Sequence, residues 1–366
     1  MNRMPGTNHR GIRVFAPGLF LLALATLSLM LTGRAMAQSG TWSLTGHPNT
    51  ARTGHTATLL NNGEVLIVGG EGASGPLTTA ELYNPSTGTF STTGTTATPR
   101  YESSAVLLPN GEVLVAGGYL GTSNGVEEFT ATAELYNPST GKWSTTGSMS
   151  VPRSEAGTAL LANGQVLIAG GLSGEYTAIT ESELYNPTTG KWTVTGSLPA
   201  NQDSPMVRLS NGLVLLAGGS SAAVYNPSTG IWTRTSAEYY TSGSSTTIAA
   251  LPNGDGLIFG NHLVSYTSQS YNPATNVWAR TLGQTGIGVN SGPLVSLANG
   301  NVLLAGGTVV YDGKASATTK AGIYNPSTNT WSITGNLKVA AAHTATLLQS
   351  GKVLVVGGTD AELYTP

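Results

Sequence analysis

The sequence predicts an all-β protein, a seven-bladed β-propeller with four antiparallel strands per blade, closed by an N-terminal strand d that pairs with the C-terminal blade. Three observations predict it. A turn dipeptide followed by a glycine stop recurs seven times, a Tyr with an aromatic seven residues later recurs six times, and the missing seventh aromatic lies at the other end of the chain. Self-similarity at a fixed period marks a repeat architecture, and residues 38–366 divide into copies of roughly 47 residues, within the range of four-stranded blades.

The first anchor places strands a and b. Asn62-Gly63 leads to Gly69-Gly70, Asn110-Gly111 to Gly117-Gly118, Asn163-Gly164 to Gly170-Gly171, and Asn211-Gly212 to Gly218-Gly219. Asn253-Gly254, Asn299-Gly300 and Ser350-Gly351 open the last three copies, and only the fifth breaks the double glycine, with Gly260-Asn261. In copy one, strand a runs from His55 to Leu60 and strand b from Glu64 to Val68. Asn-Gly between apolar runs is a hairpin signal, and a type I′ turn is expected there. Strand b is apolar at every position, as in Val65-Leu66-Ile67-Val68, so both its faces are expected to be covered.

The second anchor places strands c and d. The pairs are Tyr83 and Phe90, Tyr136 and Trp143, Tyr185 and Trp192, Tyr225 and Trp232, Tyr271 and Trp278, Tyr324 and Trp331. Strand c of copy one spans Ala80 to Tyr83, strand d spans Phe90 to Thr93, and Pro85 sits in the turn, where it damages no ladder. Tyr364 has no aromatic after it, but Trp42 in Gly-Thr-Trp-Ser opens the repeat region. Trp42 is therefore the aromatic of the last blade, and the two ends pair so that no long edge stays open.

Residues 1–37 read as a secretory signal peptide, with Arg3, Arg10 and Arg13 ahead of an apolar run from Val14 to Leu31 and an Ala35-Met36-Ala37 cleavage site. An uncleaved anchor is the alternative, since the apolar run is about as long as a bilayer needs. Cleavage leaves a soluble domain, 38–366, secreted or periplasmic, with no membrane partner and read as a monomer. The chain has no Cys, so neither disulfides nor a Cys-linked lipid contribute. Charged residues are 9% of the chain and the formal net charge is −2, without runs of either sign, which argues against a nucleic-acid partner.

The double glycine closing strand b, with Tyr and Trp at fixed spacing on strands c and d, resembles kelch repeats. Arg52-Thr53-Gly54-His55-Thr56-Ala57-Thr58-Leu59-Leu60 resembles the opening phrase of exported bacterial kelch proteins related in fold to galactose and glyoxal oxidases. That resemblance implies the propeller fold over nearly all of residues 40–366. It does not imply one activity, because a propeller hosts many. The copper-radical oxidases of this fold use a Cys crosslinked to a Tyr, which a chain without Cys cannot form.

Function is expected where the repeats vary. The a–b and c–d turns are short and nearly identical, whereas the interval from turn glycine to strand-c Tyr ranges from 13 residues (212 to 225) to 25 (111 to 136). The long b–c loops, 119–132, 172–181 and 308–320, share a face with the d–a connections, and binding residues concentrate on variable loops of a rigid scaffold. At that face the strand-a entrances gather Arg52, His55, Arg100, Tyr101, Glu102, Arg153, Glu155, Asp203, Tyr239, Tyr240, Asn290 and His343 as candidate ligand contacts. The in-register arginines also read as structural, bonding backbone carbonyls between blades. His55 and His343 are repeat equivalents that could share a metal with Glu71, Asp360 or a Tyr, but their spacing matches no metal signature, so no cofactor is assigned. Glu81, Glu134, Glu183 and Glu362 repeat before the strand-c Tyr and read as structural. Glu127-Glu128, outside the repeat, reads as a solvated loop tip or a weak Ca²⁺ or cation site. Copy five, with Asp255-Gly256 and His262, is the outlier. These features lead to a binding module for an extracellular glycan, peptide or surface polymer, without catalytic residues. The alternative is a carbohydrate isomerase or lyase using Arg100, Tyr101, Glu155 and His343.

Overall fold

The computed structural model describes residues 40–366 apart from 175–176, 201–204, 219–220, 237–245, 263–264, 283–288, 290–291, 312–313 and 341–343. The leader assigned to residues 1–37 lies outside the described residues. Residues 40–366 form seven four-stranded antiparallel sheets and four two-stranded ribbons. Blade one is Thr56–Leu59 (a), Val65–Val68 (b), Ala80–Asn84 (c) and Thr89–Thr92 (d), within one residue of the expected limits. Strands a of consecutive blades touch in an unbroken circle, with that of the seventh blade, Thr344–Leu347, against that of the first. Strands a therefore line the axis, and each strand b is covered on both faces, with Val65, Leu66, Ile67 and Val68 all buried.

The seventh blade is composite. Thr41–Leu44 pairs antiparallel with Asp360–Thr365, in a register that sets Trp42 opposite Tyr364. The two rings lie 5.0 Å apart and tilted by 48°, the same geometry as Tyr136 with Trp143. Every Tyr of the second anchor meets its aromatic in this way because each pair is directly cross-strand.

A stitch between blades accompanies each aromatic. Three residues past it stands a Thr, and in five cases a Gly follows. Thr45 Oγ1 lies 2.8 Å from Tyr83 Oη of the next blade, Thr93 Oγ1 2.8 Å from Tyr136 Oη, and Thr146 Oγ1 2.8 Å from Tyr185 Oη. The glycine N–H donates to the turn glycine of that next blade, as from Gly46 to Gly88 and from Gly94 to Gly141. Three of these glycine carbonyls accept an indole N–H, Gly94 from Trp143, Gly147 from Trp192 and Gly335 from Trp42, whereas Trp232 donates to Ser182 Oγ. A Cβ at Gly46 would lie 2.2 Å from the Gly88 carbonyl oxygen, so only glycine fits. In blades five and six Asn276 and Asn329 take the turn-glycine place at φ near +55°, which Asn tolerates, and their side chains accept the Tyr271 and Tyr324 hydroxyls.

One turn expectation is corrected. In the a–b turns only the glycine has positive φ. Gly63 N–H donates to the Leu60 carbonyl, and Asn62 Oδ1 accepts the Glu64 N–H. This is a type I turn closed by a glycine bulge, in which Asn works by side-chain capping and not by left-handed backbone. The outlier copy also has a physical account. Without the double glycine its strands b and c run on as Gly256–His262 and Ser265–Asn272, the longest uninterrupted hairpin of the seven.

Candidate functional site

The double glycine ends strand b because two backbones crowd it. A Cβ on Gly69 would meet the Arg100 carbonyl oxygen at 2.3 Å, and one on Gly70 the Thr53 oxygen at 2.6 Å, both at positive φ. The d–a connection of the next blade thus lies directly on the end of strand b. Gly70 N–H donates to Arg100 O, Gly118 N–H to Arg153 O, and Gly358 N–H to Arg52 O.

The arginine side chains turn into their own blades. Arg52 donates to the carbonyls of Gly69 (2.6 Å) and Thr79 (3.0 Å) and to Glu81 Oε1 (2.7 Å). Arg100 repeats this with Gly117, Thr132 and Glu134, and Arg153 with Gly170, Glu181 and Glu183. All three arginines are at most 1% exposed. Burial lowers each guanidinium's pKa, and the paired carboxylate opposes the shift. Each strand-c glutamate also caps the incoming connection, as Glu81 does by accepting the Asn49 and Thr50 N–H groups. Burial raises the Glu81 pKa, but the Asn49 amides and Arg52 outweigh it and hold the group below its ordinary value. Glu362 keeps the backbone contacts, to the Lys338 and Val339 N–H groups, although Ala340 stands where blades one to three have Arg.

Two residues after each arginine the chain turns left-handed. The position is Gly54 (φ 58°) in blade one, but Glu102 (φ 52°) in blade two and Glu155 (φ 53°) in blade three. Glu102 N–H donates to Gly54 O and Glu155 N–H to Glu102 O, so these residues step around the mouth of the axis. A non-glycine residue here carries strain of order 1–3 kcal/mol. Tyr101 lies over Gly54, where a Cβ would come within 2.2 Å of its ring. Its ring meets Tyr119 edge-on at 6.2 Å, and Tyr119 meets Phe129 at 5.4 Å. Burial, the adjacent Glu102, and the charges of Glu71 and Glu155 hold the Tyr101 hydroxyl well above the usual phenol range.

Tyr119–Ser123 and Val126–Phe129 form a ribbon with Val126 64% exposed at its tip. Smaller ribbons follow strand b in blades one and three, Glu71–Gly72 with Gly75–Pro76 and Leu172–Ser173 with Thr177–Ala178. The b–c and d–a segments of blades one to three carry Glu71, Glu102, Glu127, Glu128, Glu155 and Glu181. Among the described residues their only Lys or Arg side chains are the three buried arginines.

His55 is 6% exposed, and its Nε2 lies 2.9 Å from Thr344 Oγ1 of the seventh blade. Thus Arg52, His55, Arg100, Tyr101, Glu102, Arg153 and Glu155 do gather at one end of the axis. The arginines are committed inside the blades, and Tyr101, Glu102 and Glu155 face the mouth. Asp203, Tyr239, Tyr240, Asn290 and His343 lie outside the described residues. The aromatic ladder through Tyr119 and Phe129 was not foreseen; its signal was a Tyr directly after a double glycine, where the other copies carry no aromatic. The opposite face holds shallow grooves between neighbouring a–b and c–d turns, one of about 540 Å³ lined by Asn62, Glu64, Ser86, Gln349 and Lys352. Similar grooves recur between other blades, as the repeat requires.

Residues 101–150, which run from Tyr101 through blade two, match a kelch motif. No curated protein matches the sequence. Among solved structures, the chain is similar to a fungal alcohol oxidase of the AA5 family in complex with copper, at 15% identity and a TM-score of 0.69, over 90% of this chain and 76% of that one. It is also similar to YjhT, at 15% identity and a TM-score of 0.60, over 80% of this chain and all of YjhT. Likeness at this identity concerns the fold. A copper site built on a Cys–Tyr crosslink does not fit this chain, which has no Cys, and among the described residues no three His, Asp or Glu side chains converge as metal ligands. The chain is a seven-bladed propeller that carries a kelch motif in its second blade.

Proposed function

We propose that this protein is an exported interaction module that binds an extracellular ligand on the b–c/d–a face of blades one to three, and that it works without catalysis. The observation that carries this reading is the division of labour among the charged residues. The in-register arginines and strand-c glutamates are consumed by carbonyls, amides and one another, while the half-buried Tyr101, Tyr119 and Phe129 ladder and the surrounding carboxylates stand at the loop face. An enzyme of the isomerase or lyase kind would need Arg100 free to meet a substrate, and all its Nη contacts are internal. Aromatic faces beside carboxylates, on a face whose arginines are buried, suit a basic polypeptide, through ion pairs and cation–π contacts worth about 0.5–2 kcal/mol each. A neutral glycan would use the same rings by stacking.

The mature protein, titrated by calorimetry with a lysine- and arginine-rich peptide and with a neutral oligosaccharide panel, tests the proposal. Salt-sensitive binding of the peptide, weakened about tenfold (1.4 kcal/mol) by Tyr101→Ala, is expected. Turnover of any oligosaccharide, or binding unchanged in Tyr101→Ala and Glu155→Gln, would overturn it.

A further inference from the structure

The chain holds seven Asn-Gly dipeptides, and the structure treats one of them differently. Six sit in the a–b turns, and each is held by two hydrogen bonds. The glycine N–H donates to a leucine carbonyl, as Gly63 to Leu60, Gly164 to Leu161 and Gly300 to Leu297. The Asn Oδ1 accepts the next N–H at 3.0–3.1 Å, as Asn62 from Glu64, Asn163 from Gln165 and Asn299 from Asn301. The seventh, Asn124-Gly125, is the tip of the blade-two ribbon. The pairing of Ser123 with Val126 leaves it as a two-residue loop with φ of 52° and 79°. Both residues are exposed, nothing lies within 4 Å of a Cβ built on Gly125, and among the described residues no hydrogen bond holds the Gly125 amide or the Asn124 carboxamide.

Deamidation at Asn-Gly requires the glycine nitrogen to reach the side-chain carbonyl carbon. We propose that Asn124-Gly125 is a self-modification site of the folded protein, and that the six turn pairs are shielded from the same reaction. The Gly125 nitrogen, giving up its proton to solvent base, attacks Asn124 Cγ. A C–N bond forms, the Cγ–Nδ2 bond breaks, and ammonia leaves with one added proton. Water then opens the succinimide to Asp or isoAsp. In the turns this attack first requires both hydrogen bonds to open within a paired hairpin. At the ribbon tip it requires only local motion of a two-stranded ribbon, which has little stability of its own. The product places a new carboxylate beside Glu127 and Glu128, so the loop face grows more acidic as the protein ages.

The mature protein is incubated at mildly alkaline pH in ¹⁸O-water, and digests are mapped by mass spectrometry, with urea-unfolded chain as the reference. Label should enter the Asn124 peptide of the native protein on the order of tenfold faster than any of the six turn peptides, and all seven peptides in urea. Native conversion at Asn124 no faster than at Asn62, Asn110, Asn163, Asn211, Asn253 and Asn299 overturns the proposal.

Discussion

Replacing Trp42 by Ala tests whether the strand Thr41–Leu44 closes the ring. Trp42 is 6% exposed and packs in one cluster with Val295, Leu303, Leu337 and Tyr364, which joins the sixth and seventh blades. Truncating a Trp in such a site costs about 3–5 kcal/mol. Its N–H also donates to Gly335 O at 2.6 Å, a bond whose loss alone is worth about 1 kcal/mol and which Trp42→Phe isolates. For a domain of roughly 330 residues, at about 2 cal/mol/K of unfolding entropy per residue, 4 kcal/mol lowers Tm by about 6 °C. The internal comparison is Trp143→Ala, because Trp143 has the same ring geometry and the same indole bond within an unbroken blade. Urea unfolding followed by tryptophan fluorescence reads both. Comparable losses mean that the terminal strand is as integral as an internal one. A Trp42→Ala loss below about 0.5 kcal/mol, the range of neutral surface changes, beside a full loss in Trp143→Ala, would refute the closure.

Other outcomes follow from the same geometry. Arg100→Met strands Glu134 in the blade without its cation and should cost about 3–5 kcal/mol, while Arg100→Met with Glu134→Leu should recover much of the loss; equal losses would mean the pair is not coupled. Phe90→Trp should stabilise by about 1 kcal/mol, since blade one is the blade without an indole to donate to its glycine carbonyl, here that of Gly46; no gain in urea midpoint would count against the stitch. Glu81 is held below its ordinary pKa, so its contribution is present above the unfolded value of about 4.3 and is lost as pH falls through the folded value; Glu81→Gln should flatten the acid limb of a stability–pH profile below that value, and an unchanged limb would refute the assignment. Export with cleavage after Ala37 predicts Gln38 as the first residue of the secreted form, read by N-terminal sequencing, and retention of Met1 would contradict it.

Architecture was legible because the propeller is built from spacings. Tyr and its aromatic are directly opposed across strands c and d, so their separation cannot drift without breaking the pair. Apolar strand b, the Trp42 and Tyr364 match, and the loop lengths were readable for the same reason. Hydrogen-bond partners were less so. The Thr three residues past each aromatic repeats in all seven copies, yet a Thr at a strand end carries no signal until the next blade's Tyr is placed beside it. The Asn-Gly turn type was misread because Asn serves two geometries, left-handed backbone or side-chain cap, and the dipeptide does not choose between them. The site face had the same difficulty. Arg100 and Tyr101 are neighbours in sequence, but only the full burial of one and the partial exposure of the other separates scaffold from surface.

That separation has a consequence for how such a fold acquires function. The Arg and Glu pair occurs in blades one to three, and the left-handed glutamates occur in two of those same blades. The pair anchors the d–a connection from both sides, through the arginine's carbonyl bonds and through the glutamate's grip on the preceding amides. A connection fixed this firmly can hold a residue such as Glu102 or Glu155 in a backbone state that costs of order 1–3 kcal/mol. Gly54 shows that the turn itself does not need the carboxylate, since blade one makes it without strain or charge. The glutamates are therefore features of the surface that the buried pair sustains. Glu102→Gly and Glu155→Gly should each raise stability or leave it unchanged while weakening capture of the basic peptide. If instead either substitution destabilised the blade and left binding intact, the carboxylates would belong to the scaffold and the loop face of blades one to three would lose its claim as the site.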